Sequence, residues 1–89
     1  MRKFYFTYGS SDRKQPYHGG WSEVIARSLD DAIDEYVKFH PRHDGLIPCA
    51  GIYGAEYFEK TEMYKSGNFG RKCREVIENG KTAYAEGVS

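Results

Sequence analysis

Imidazoles and thiols are the groups here best suited to bind a metal or begin a nucleophilic attack, and the chain carries three His and two Cys. His40, His43, Cys49 and Cys73 are of the donor types zinc prefers. His40-Pro41-Arg42-His43 has two intervening residues, but the close Cys-x-x-Cys pair that would anchor such a site is missing. His40 falls on an apolar helical stripe and His43 in a turn, so no metal and no cofactor are expected. Cys73 lies beside Arg71, Lys72 and Arg74, neighbours that stabilise a thiolate. It also shares apolar spacing with Phe69 and Ile77, which favours a core thiol. Glu56, Glu59 and Glu62 recur every three residues, the pattern of a solvated helix face rather than of paired acids. No catalytic residue is assigned, and an enzyme is not expected.

Two other segments have binding chemistry. In Ser66-Gly67-Asn68-Phe69-Gly70-Arg71-Lys72, a helix starting at Asn68 would aim free N–H groups and a dipole at an anion. Asn68, Phe69, Gly70, Arg71, Lys72 and Arg74 would line that site, with a nucleotide or other anion as ligand. Neither a Walker loop nor a dinucleotide fingerprint is present, and helix capping explains the same residues. The stretch Gly9 to Gly20 is too long for a tight turn and carries Arg13, Lys14, Tyr17 and His18 before Trp21. Cations interleaved with aromatics suit a partner-binding loop.

The elements that position these segments follow from spacing. Phe4, Phe6 and Tyr8 alternate with Lys3, Tyr5 and Thr7 along a first strand. A second strand over Trp21 to Arg27 should pair with it antiparallel. Ser28 caps the clearest helix, whose stripe of Leu29, Ala32, Ile33, Tyr36, Val37 and His40 ends at Pro41. An apolar run from Leu46 to Tyr53 reads as an irregular or edge strand. Ala55 to Lys65 reads as a short helix closed by Gly67, and Asn68 to Ile77 as another, stopped by Asn79-Gly80. Residues 81 to 89 read as a frayed tail or one short edge strand.

The expected fold is a single α+β domain spanning 1–89. It has a small antiparallel sheet in β-β-α-β order, one main amphipathic helix and two short C-terminal helices. Phe4, Phe6, Val24, Ala26, Ala32, Ile33, Tyr36, Val37, Ile52, Phe58, Cys73 and Ile77 form the expected core. One sheet face should stay open, showing Tyr5, Thr7, Trp21 and Ile25 to solvent, to a partner or to a second copy in a homodimer.

Composition bounds function. Eighty-nine residues allow one small core. Thirteen basic against thirteen acidic residues leave no surplus with which to grip phosphates or mimic nucleic acid, so a nucleic-acid module is disfavoured. No apolar run approaches a membrane span, and Met1-Arg2-Lys3 leads into alternating aromatics rather than a signal core, so a cytoplasmic protein without membrane contact is expected. Aromatics reach 16%, with eight Tyr, more than a core of this size needs and well suited to a binding surface.

Phe4-Tyr5-Phe6-Thr7-Tyr8-Gly9, the Val24-x-Ala26-x-Ser28 passage into a helix ending Phe39-His40-Pro41, and Gly67-Asn68-Phe69-Gly70-x-x-Cys73-x-x-Val76-Ile77 together resemble small proteins of bacteriophages and integrated mobile elements. The match spans about residues 3 to 77. It implies no activity, because that group has no known catalytic residues. It implies a context in which short proteins occupy a host protein, anti-CRISPR-like inhibitors of defence among them. The expected role is non-enzymatic binding of a host protein through Tyr5, Tyr8, Arg13, Lys14, Tyr17, His18 and Trp21.

Overall fold

The computed structural model describes residues 1–10 and 14–84. Strand β1 (Arg2–Thr7) pairs antiparallel with β2 (Trp21–Ala26), Phe4 opposite Val24 and Thr7 opposite Trp21. Helix α1 (Leu29–Phe39) follows, started by Ser28, whose hydroxyl accepts from the Asp31 N–H. That bond satisfies a donor the helix leaves unpaired, and Asp30 and Asp31 complement the positive end of its dipole. The helix stops where its periodicity does, at Pro41.

Strand β3 (Gly51–Gly54) lies on the free side of β1, again antiparallel. The expected single helix over 55–65 is two short ones, α2 (Ala55–Phe58) and α3 (Glu62–Ser66). Thr61 divides them: its hydroxyl donates to Phe58 O at 2.7 Å, ending α2, and accepts from Tyr64 N, starting α3. Gly67 closes α3 as expected, at φ +104°.

The expected third helix does not form. Asn68 to Arg71 is a tight turn, and β4 (Cys73–Glu78) runs parallel to β2, making a mixed sheet of order β3-β1-β2-β4-β5 rather than an antiparallel one. A parallel partner needs a long crossover, and everything between Arg27 and Lys72 serves as that crossover. The element order thus begins β-β-α-β and continues α-α-β-β. Asn79-Gly80, read as a helix stop, is the two-residue turn of a hairpin into β5 (Lys81–Ala83), with both residues at positive φ. Part of the expected tail is therefore the edge strand; residues 85–89 lie outside the described residues.

Both sheet faces are covered. Against α1 lie Phe4, Phe6, Tyr8, Val24, Ala26, Ala32, Tyr36 and Ile77, with Ile33, Val37 and Ile52 half-buried around them. On the other face α2 and α3 bring Phe58, Met63 and Tyr64 against Tyr5 and Trp21. The open face expected from the sequence does not exist: Tyr5, Thr7 and Trp21 are buried, and a homodimer across that face would meet the chain's own helices. Cys73, expected in the core, is half-buried at its margin. Among the described residues no helix is long and apolar enough to cross a membrane.

Candidate functional site

At the end of the sheet where Thr7, Trp21 and Cys73 lie side by side, three connections meet: Tyr8 to Gly20, His40 to Ala50, and Gly67 to Lys72. Backbone bonds weld the first to the third. Tyr8 N donates to Gly20 O and Gly19 N to Gly9 O, closing the long loop at its base. Gly20 N then donates to Asn68 O at 2.8 Å and Trp21 N to Lys72 O at 3.1 Å. The Asn68 carboxamide donates to both Tyr8 O and Gly20 O, at 2.8 and 2.9 Å. Such close approach requires glycine: a Cβ at Gly19 would stand 2.5 Å from Asn68 O, and one at Gly20 would stand 2.3 Å from Lys72 O.

Asn68 and Arg71 exchange backbone bonds in both directions, at 2.7 and 3.1 Å, across Phe69 (φ +51°) and Gly70 (φ +77°). This is a type I′ turn. The anion site expected at Asn68 has no helix start, hence no dipole and no row of free N–H groups, because two-residue turn geometry won over helix nucleation. Of its residues, Asn68 is buried and committed to the loop, while Phe69, Gly70, Arg71 and Lys72 are exposed. Arg74 lays its guanidinium 4.8 Å over the Tyr17 ring and donates to His18 O at 3.1 Å.

The two segments read as separate candidates are thus one surface. It includes Tyr17, half-buried, with His18 and Lys14, both exposed. Lys14 pairs with Asp44 at 3.3 Å, tying the loop to the turn after α1, and His18 Nδ1 donates to Ser10 O at 2.5 Å. It excludes Tyr5, Tyr8 and Trp21, which are core; Arg13 lies outside the described residues. A balanced net charge hides an uneven distribution. Lys14, Arg42, Arg71, Lys72, Arg74 and all three histidines lie at this end, whereas Asp30, Asp31 and Asp34 sit on the first turns of α1 at the other. Of the described acids at the loop end, Asp44 pairs with Lys14 and Glu75 is buried.

Beneath the surface is a polar network that the sequence did not announce. Glu75, 1% exposed, accepts from Ser22 Oγ at 2.5 Å, His40 Nε2 at 2.7 Å, Thr82 Oγ1 at 3.2 Å and Tyr17 OH at 3.4 Å. The Tyr8 hydroxyl meets those of Ser22 and Tyr36, and Tyr36 donates to Pro48 O at 3.0 Å. Burial works to raise the Glu75 pKa, but the bonds from His40, Ser22 and Thr82 outweigh it, and the net shift is downward. Burial holds the Tyr8, Tyr17 and Tyr36 hydroxyls far above the usual phenol range, so they act as neutral donors. Glu75 hid because an acid at an inward strand position breaks the alternation of Cys73, Val76 and Ile77; the β-branched pair was the available signal for a strand.

This network differs from a hydrolytic triad, since Ser22 donates to the carboxylate and not to His40. Burial pushes Cys49 up to about 11 and Cys73 up to about 12, away from thiolate chemistry. The zinc set does not assemble: Cys73 packs on the face opposite His40, and among the described residues no three His, Cys, Asp or Glu converge. No protein-family model, curated protein or solved structure matches this chain.

Proposed function

We propose that this is a non-enzymatic binding protein that occupies another protein through its loop end. One observation carries the reading: the loop from Gly9 to Gly20 and the turn Asn68–Arg71 join in a single basic, aromatic-tipped surface on a rigid frame. A preorganised surface loses little entropy on binding, and exposed cations steer an oppositely charged partner toward it. The resemblance to phage and mobile-element proteins supports a host protein in the bacterial cytosol as the partner, a defence component among the candidates. A nucleotide or anion held at Asn68 loses support with the helix start on which it depended. The test is affinity capture from bacterial extract. A partner retained by the wild type, lost at least tenfold with Arg71→Glu/Lys72→Glu and kept with Lys60→Glu on the far side supports the reading. Equal retention by the loop-end variant, or no retained protein at all, overturns it.

A further inference from the structure

The chain makes two type I′ turns and fills them differently. At Asn79-Gly80 the φ angles are +52° and +72°, and at Phe69-Gly70 they are +51° and +77°. Asn at the first central position is the usual solution, because its short side chain tolerates the left-handed region; a bulky ring there crowds the backbone. Strain of this kind persists where something else requires the residue. Packing inside the protein does not require it, since Phe69 is 66% exposed, among the most exposed large apolar residues described.

The turn also has no freedom to relieve itself. Asn68 is fastened through its side chain to Tyr8 O and Gly20 O, and through its carbonyl to Gly20 N, while a Cβ at Gly19 would touch Phe69 Cβ at 2.9 Å. Phe69 is therefore an aromatic ring held outward in one place by a buried anchor, beside exposed His18, Arg71 and Lys72. An exposed aromatic on rigid backbone, ringed by cations, is how an interface hot spot is built. We infer that Phe69 is the anchor of the binding surface, inserting into an apolar pocket of a partner protein whose rim carries Asp and Glu. The inference rests on the reading that the loop end binds a protein, and it adds which residue anchors and what chemistry receives it.

Phe69→Asn separates anchoring from folding, because it restores the usual turn residue. The isolated variant should melt about 2 to 6 °C higher than the wild type, while capture of the partner from bacterial extract falls at least tenfold. Phe69→Trp should keep capture within about threefold. A photo-crosslinking benzoylphenylalanine at position 69 should label a protein, at an apolar segment flanked by acidic residues. Labelling of nucleic acid, a lowered melting temperature for Phe69→Asn, or capture by that variant within threefold of wild type would each overturn the inference. If the wild-type partner is lost with Arg71→Glu/Lys72→Glu but kept with Phe69→Asn, the function stands and the anchor falls. If wild type captures nothing, both fall together.

Discussion

The two faces of the sheet solve the same problem of burying aromatic rings by opposite means. On the α2/α3 face rings pack on rings: Tyr5 stacks on Phe58 at 4.5 Å, Trp21 on Tyr64 at 5.8 Å, and Tyr5 and Phe58 meet Trp21 edge-on. Its polar handles point to the rim, where Tyr5 OH reaches Glu59 at 2.5 Å and the Trp21 indole reaches Glu23 at 3.2 Å. The α1 face instead carries Glu75 and four hydroxyl or imidazole donors inside the core, next to Phe6 stacked on Tyr36 at 4.3 Å. Stacking tolerates small shifts, whereas a buried carboxylate demands its donors in place. The polar face therefore fixes geometry: Glu75 joins β2, β4 and β5 to the end of α1 and, through Tyr17, to the binding loop.

The comparison breaks most directly at Trp21. Trp21→Ala removes the largest buried side chain and should cost about 3–5 kcal/mol in urea unfolding. That loss should be the same at pH 7 and pH 4, because burial and stacking drive it. Glu75→Ala leaves His40, Ser22 and Tyr17 without their acceptor and should cost about 3 kcal/mol at pH 7, with Glu75→Gln costing less.

Acid sharpens the contrast. The folded Glu75 pKa lies below its ordinary value of 4.5, so the unfolded chain takes up this proton first as pH falls. Its contribution is present above about pH 4.5 and is lost as pH falls through the folded pKa. Urea midpoints measured from pH 7 to pH 3 should thus decline more steeply for wild type than for Glu75→Gln. An equal slope would show that the network stores no such linkage.

The smallest effect concerns the thiols, one on each face. With Cys49 raised to about 11 and Cys73 to about 12 by burial, alkylation at pH 8 should run on the order of a hundredfold slower than for a free cysteine. Mass spectrometry over time checks this, and a fast thiol on one face would mark that face as the one that opens.

Where local signals sufficed, they were decisive. Ser28, the three-and-four spacing from Ala32 to Val37, and Pro41 define α1, because capping and periodicity act within a few residues. The candidate loop was legible from its length and composition, and Phe69 to Lys72 stood out as a glycine-flanked basic segment. Their junction was not legible, since it runs through Asn68 to residues some fifty to sixty positions away. Nor was the fate of Tyr5, Tyr8 and Trp21. Alternation says that Tyr5 and Phe6 point to opposite faces, but not that both faces will be covered.

By itself the sequence determined one small α+β domain, its main helix, the pairing of its first two strands and a loop suited to binding. Tertiary structure decided that β4 is a strand parallel to β2, that Glu75 is an interior acid, and that two separate segments form one surface. The physical reason is range. Caps, turns and periodicity are satisfied by neighbours in the chain, whereas a parallel ladder and a buried carboxylate are satisfied only by groups that distant segments bring to them.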